Sequence, residues 1–313
     1  MDEIIIHHYP PSPVSEKIRM AMGLKKLSWR SVEQNRLPDR PELFALTGGY
    51  RRIPVMQIGA DVYCDTHCIL RELESRFPKP TFFPNGAGGL PFALGQWTDG
   101  VVFDLAVRVA FAPAAASLPA ALVQDRARLY LGPNGDFEQE IADLPHTLAQ
   151  LRAQFGLVEA RLESGRTFIL GDNPGMPDLM IWYLFWFVRG RYAEADTFFS
   201  EFPKLLQWAE RVEAIGHGTP TDMTPKESLA AAAAAQPVTV PGSANADPRD
   251  PQKLAPGMTV GIVPVTDSGD PEVFGTISAI GRDTIAISRA ADSAGQVCVH
   301  FPRLGYRVRV ANG

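Results

Sequence analysis

The amino-acid sequence predicts an α/β domain, then an all-helical bundle, then a small all-β domain. Three observations predict it. Over residues 1–83 the apolar pattern switches between strand and helix periods in the order β-α-β-α-β-β-α. From about residue 88 to 216 apolar residues recur at helical spacing almost throughout. Residues 253–313 then break into five short alternating runs with glycine and aspartate between them, the pattern of a small barrel or sandwich. The expected boundaries are 1–83, 88–216, a linker with a short helix over 217–252, and 253–313.

Each element has a local reason. Residues 3–9 are rich in isoleucine and stop at Pro10, as a short buried strand does. A helix follows, carrying Val14, Ile18, Met20, Ala21 and Met22 until Gly23. Residues 27–32 alternate as a strand, 41–46 read as a short helix, and 53–58 with 62–64 read as a hairpin about Gly59. Ile69, Leu70, Leu73 and Phe77 line a helix that Pro78 ends. In the second region Leu94, Trp97, Val101, Leu105 and Val109 form one stripe and 137–162 another, while Trp182, Leu184, Phe185 and Trp186 belong to a helix apolar on most sides and therefore central. Thr224-Pro225-Lys226-Glu227 fits a capping box with proline at the first helical position. Residues 236–252 are rich in proline, glycine and small polar side chains, a flexible or extended linker. The last strands are expected over 258–263, 272–280, 284–289, 296–301 and 306–310.

Composition narrows the function. The 45% hydrophobic content fills the cores of a globular chain, and a formal net charge of −5 supplies no basic field for nucleic acid. The N-terminus is acidic where a secretory signal is basic. No run approaches the ~18 apolar residues of a membrane helix. Three cysteines are too few for a disulfide framework. Together these predict a soluble, cytoplasmic protein whose partners are small ligands or proteins, with neither membrane nor nucleic acid among them. His7 and His8 are adjacent on a strand and point to opposite faces, one inward and one to solvent, so they share no metal. Cys64 and Cys68 read as small core residues, and no metal site is expected.

The segment YPPSPVSEK, residues 9–17, poses the functional question. Two prolines stiffen the turn into a helix whose first residues are Ser12 and Pro13. Ser12 is either a helix cap or a hydroxyl held where a helix N-terminus meets negative charge. Asp65 and Thr66 raise the same pair of readings at the next helix start.

Four matches carry a family resemblance. Ser12-Pro13-Val14-Ser15 occupies the place of the Cys-Pro-x-Cys of glutaredoxins and of the active-site serine of serine-type transferases. Arg52-Ile53-Pro54-Val55 is similar to a Lys/Arg-Val/Ile-Pro-Val motif whose proline is cis. Asp65-Thr66, ahead of Cys-Ile-Leu-Arg-Glu-Leu, is similar to a Glu/Asp-Ser pair opening a helix, and residues 168–174 with Asp178 are similar to the loop into a buried helix. In this order and spacing, over about the first two thirds of the chain, the sequence resembles the glutathione transferase superfamily of serine type. The first domain is then thioredoxin-like. Two departures stand out: Thr66 replaces serine, and Gly175 stands where the family caps its buried helix with Ser or Thr.

The resemblance implies roles. Ser12 is the catalytic hydroxyl that favours the glutathione thiolate. Asp65 meets the amine and Thr66 the carboxylate of the γ-glutamyl end. The cis Ile53–Pro54 bond turns the main chain of Val55 outward to the cysteinyl part. Arg52, with Arg40, meets the glycyl carboxylate, the alternative for each arginine being a solvated surface charge. Tyr9, Phe92, Gln96 and Trp97 wall a hydrophobic substrate pocket. The implied function is a homodimeric glutathione transferase, glutathione its cosubstrate, acting on an electrophilic, mostly apolar small molecule. The alternative is a non-catalytic binding or regulatory protein on the same fold, its C-terminal strands recruiting a partner. A glutathione-dependent reductase ranks lower, because Ser12 forms no mixed disulfide.

Overall fold

A computed structural model of the chain describes residues 3–238, 246–266 and 268–311. The chain forms two compact units. One comprises residues 1–15, 28–73 and 220–313, the other 16–27 and 74–219.

The first unit is built on one sheet. Strands β1 (Ile4–His8) and β2 (Ser28–Glu33) run parallel, joined through helix α1 (Pro13–Leu24). Helix α2 (Pro41–Thr47) leads to the antiparallel pair β3 (Val55–Ile58) and β4 (Asp61–Cys64), and α3 (Thr66–Arg76) follows. β3 is also antiparallel to β1. This is the expected thioredoxin-like order. His7 and His8 are both buried, contrary to the expectation that one faces water. Each finds a polar partner on its own side: His7 Nε2 bonds Gln57 Oε1 at 3.0 Å, and His8 Nε2 bonds Ser31 Oγ at 2.9 Å. Burial holds the His7 imidazole down to about 4, the Gln57 bond only partly opposing it, so it is neutral at physiological pH.

The C-terminal strands form as expected but not as a separate body. Strand β5 (Thr219–Asp222) lies at the sheet edge beside β2, and helix α12 (Pro225–Ala233) follows the capping box, Thr224 N–H donating to Glu227 Oε2 at 2.7 Å. Of the expected linker, residues 239–245 lie outside the described residues. Strands β6 (Thr259–Pro264), β7 (Val273–Ile280), β8 (Thr284–Ala291) and β9 (Gly295–Pro302) make an antiparallel meander, with β10 (Tyr306–Val310) on the outer side of β6. Closing a barrel needs β9 to pair with β10. Instead β4 occupies that edge in parallel register, Asp61 opposite Cys298 and Tyr63 opposite His300. The sheet therefore continues in the order β10-β6-β7-β8-β9-β4-β3-β1-β2-β5. Leu43, Leu46, Val55 and Val62 from the N-terminal region share one apolar core with Ile262, Ile287, Val299 and Phe301. The boundary expected at 253 dissolves because those strands have no complete core of their own.

The second unit is helical. Besides residues 16–27, which include most of α1, it contains α4 (Leu90–Trp97), α5 (Phe103–Phe111), α6 (Ala120–Leu131), α7 (Phe137–Ala142), α8 (Leu144–Glu163), α9 (Met176–Arg189), α10 (Ala195–Phe199) and α11 (Pro203–Glu213). A π-helical turn over Thr98–Val102 joins α4 to α5, so the expected stripe runs through both. The helix expected over 137–162 breaks at Asp143, ahead of Pro145. α9 is buried along nearly its whole length. Its start explains the missing Ser or Thr cap: a Cβ on Gly175 would stand 2.6 Å from Pro84 Cδ. The cap is supplied from inside the helix, Asp178 Oδ2 accepting Gly175 N–H at 2.9 Å and Oδ1 accepting from Ile169 N and Trp208 Nε1. No helix among the described residues is long and apolar enough to cross a membrane.

Candidate functional site

Ser12 stands at the junction of the Pro10-Pro11 turn and α1. Its N–H donates to Tyr9 O at 3.1 Å, and its Oγ accepts the Ser15 N–H at 3.1 Å, so the residue caps the helix. A hydroxyl keeps one O–H beside its acceptor lone pairs, so capping and donation are compatible. Ser12 is buried beneath the turn, as is Tyr9. Ser15, one turn on, is fully buried, and its Oγ has no hydrogen-bond partner among the described residues.

Asp65 is the N-cap of α3. Its backbone φ is +75°, a conformation Asp tolerates better than most residues, and Oδ1 accepts the His67 N–H at 2.8 Å. Thr66 follows as the first helical residue and is buried. The other Asp65 oxygen, Oδ2, accepts the Tyr306 hydroxyl at 3.2 Å, and Tyr50 in turn bonds the Tyr306 oxygen at 2.7 Å. Burial above all, with Asp65 nearby, pushes both tyrosines well above the usual range.

Arg52 is engaged by the loop between β6 and β7. Its guanidinium donates to both oxygens of Asp270, at 3.1 and 2.7 Å, and to Thr266 Oγ1 and Ser268 Oγ at 2.6 and 2.8 Å. Burial disfavours charge on both members, but the bonds between them outweigh it, raising the Arg52 pKa and lowering that of Asp270. Arg40 is not a surface charge: it is 4% exposed and donates to the carbonyls of Asn35, Arg36 and Arg51. It ties the segment before α2 to Arg51, which follows that helix.

The Ile53–Pro54 bond is cis. Val55 is not turned outward, because β3 begins there and Val55 is registered against His7 on one side and Cys64 on the other. Arg52, Ile53 and Pro54 all precede the ladder. In the helical unit Phe92 is buried against Phe83, Gln96 is exposed, and Trp97 Nε1 donates to Gln154 Oε1 at 2.8 Å.

The structure thus joins Arg52, Tyr50, Tyr306 and Asp65 into one polar cluster, completed by Thr266, Ser268 and Asp270. Sequence reading found Arg52 and Asp65 but none of the C-terminal members. Nothing at 266–270 or 306 marks them as partners of residues more than 200 positions away, since long-range contacts such as the β4–β9 pairing bring them near.

Comparisons with known proteins bear on this arrangement. Residues 6–81 match the model of the glutathione S-transferase N-terminal domain, and residues 138–211 that of the glutathione S-transferase C-terminal domain. A solved GST-like protein from Pseudomonas syringae is 32% identical, with a TM-score of 0.79 over 98% of this chain and 100% of its own. A probable glutathione S-transferase, parA, from Nicotiana tabacum is 20% identical over 67% of this chain and 84% of its own length. The glutathione transferase GSTFuA3 from Phanerochaete chrysosporium aligns with a TM-score of 0.53 at 19% identity, over 69% of this chain and 98% of its own. The Pseudomonas relative spans the C-terminal strands as well, whereas the other two cover about two thirds of the chain.

Proposed function

The chain belongs to the glutathione transferase superfamily, and from that premise we propose that it activates the glutathione thiol for attack on an electrophilic, mostly apolar small molecule. The observation that carries the reading is Ser12, a buried hydroxyl at the N-terminus of α1, beyond the Pro10-Pro11 turn that follows β1. In this reading the Ser12 O–H donates to the sulfur while Oγ keeps the Ser15 N–H, and the helix terminus adds its partial positive charge. Both favour thiolate over thiol. The γ-glutamyl amine pairs with Asp65, and its carboxylate meets the Thr66 hydroxyl at the start of α3. The glycyl carboxylate goes to Arg52, where it competes with Asp270. That competition makes glutathione binding weaker than an unengaged arginine would give.

The reaction needs no further group from the protein. The thiol proton leaves to solvent, the thiolate attacks the electrophilic carbon, the C–S bond forms, and the leaving group departs with the bonding pair. The test is retention on immobilised glutathione together with turnover of a chlorodinitrobenzene. Both are expected. Retention and turnover both absent would overturn the reading and leave the fold as a binding scaffold.

A further inference from the structure

The C-terminal strands bring together a second set of reactive side chains that the transferase chemistry does not use. On β9, Cys298 and His300 are two residues apart and share a face. Val297 and Val299 turn the other way, into the apolar core. Asp61 of β4 is registered opposite Cys298, so carboxylate, thiol and imidazole meet on one side of the sheet, their reactive atoms all within 4.8 Å of one another. His300 Nε2 donates to Asp61 Oδ1 at 2.7 Å, and its ring is stacked on Tyr63 with centroids 4.4 Å apart. The second Asp61 oxygen accepts the Val238 N–H at 2.8 Å, and Ser278 Oγ lies 3.3 Å from Cys298 Sγ.

These groups border open space. The neighbours of Cys298 and His300 on β8 are Ser288 and Ala286, whose small side chains leave a cavity of about 410 Å³ under residues 236–238. Cys298 and His300 line it, with Ser278 and Gln296 as further polar walls. Cys64 and Cys68 are also free thiols, but burial in the core pushes both well above the usual range, and neither lines this cavity.

We propose that Cys298, His300 and Asp61 form a thiol-based nucleophilic site that takes a small polar electrophile, a carbonyl conjugated to a carbon–carbon double bond. The His300 imidazolium, whose ring Asp61 orients and whose positive charge it balances, favours the Cys298 thiolate, the thiol proton leaving to solvent. Sγ attacks the β-carbon and a C–S bond forms. The π pair moves to the α-carbon, which takes a proton from the imidazolium, and the ring regains one from solvent. The step is an addition: nothing is oxidised or reduced and no group leaves. The His300 imidazolium is favoured here, at about 9, because Asp61 and Cys298 outweigh the burial that opposes it; Tyr63 is the other titratable group against the ring.

The test is acrylamide labelling of the intact, folded chain near neutral pH, with the three cysteines read separately by peptide mass spectrometry. Cys298 is expected to react at least roughly tenfold faster than Cys64 and Cys68, and His300→Gln to slow it by roughly tenfold or more. Cys64 and Cys68 report in the same digest whether the variant is folded, since loss of the core exposes all three together. The proposal is overturned if Cys298 in the native chain is no faster than the two core cysteines, or if folded His300→Gln labels at the unaltered rate. It is equally overturned if the purified protein carries a stoichiometric divalent metal whose removal alone exposes Cys298.

Discussion

Asp270→Asn keeps the shape of the side chain and removes its charge from Arg52. Asp270 is 3% exposed at its side chain and Arg52 30%, so the pair is shielded on one side only. Removing one partner of a fully buried pair costs ~3–5 kcal/mol. Here the guanidinium keeps the hydroxyls of Thr266 and Ser268 and part of its water, which brings the expected loss to about 2 kcal/mol, near the worth of one charge-assisted hydrogen bond. Chemical denaturation followed by circular dichroism reads that loss. The same change releases Arg52 for a carboxylate ligand. Glutathione measured by calorimetry should therefore bind about tenfold tighter, corresponding to ~1.4 kcal/mol. An unchanged denaturation midpoint together with unchanged or weaker glutathione binding would refute the claim that Asp270 holds Arg52 against the ligand.

Three further outcomes are expected. Gly175→Ala should destabilise by ~1–3 kcal/mol in a thermal melt, because the new methyl meets Pro84 at 2.6 Å while the extended backbone itself suits any residue. Glu16 is buried, a penalty that His217, Arg19 and Trp182 more than offset, so its pKa falls from 4.5 to about 2. Its contribution, on the order of 3 kcal/mol, is then complete above about pH 4.5 and lost as pH falls toward 2; Glu16→Gln should remove that part of the acid dependence of stability. A chain ending near Ala235 should lose its cooperative melt, since Val62, Leu43 and Leu46 would be left facing water in place of Val299, Phe301 and Ile287; a soluble, cooperatively melting fragment would contradict the shared core.

Local chemistry was legible in the sequence wherever neighbours in the chain decide the structure. The Thr224–Glu227 capping box, the proline-opened helices and all five C-terminal strands lie where their patterns put them. Pairing across long separations was not legible. The same five strand patterns suit a closed barrel or an extension of another sheet, and the choice rests on β4 reaching the edge of β9 from more than 230 residues away. The site divides along the same line. Asp65 and Thr66 could be placed at a helix start from their spacing, and Ser12 likewise. Arg52 could be named but not its partner, because Asp270 enters through that distant pairing. Arg40 could not be told from a surface charge, since its acceptors are backbone carbonyls that carry no sequence signal. Helix α6 lies within the region expected to be helical but has no stripe of its own, its apolar positions being interrupted by Gln124, Asp125, Arg126 and Arg128.

The central claim is that the Ser12 hydroxyl stabilises a thiolate, and its most direct test is the thiol titration of bound glutathione, followed by thiolate ultraviolet absorbance in the wild type, Ser12→Ala and Ser15→Ala. A hydrogen bond to the sulfur together with a helix terminus lowers a thiol from ~8.5 by about two units, roughly 2.7 kcal/mol. The wild type and Ser15→Ala should both show that lowered value, Ser15 Oγ having no partner to lose among the described residues. Ser12→Ala should return most of the way to the free thiol. Equal titration midpoints in the wild type and Ser12→Ala would contradict the account and leave Ser12 as a helix cap alone.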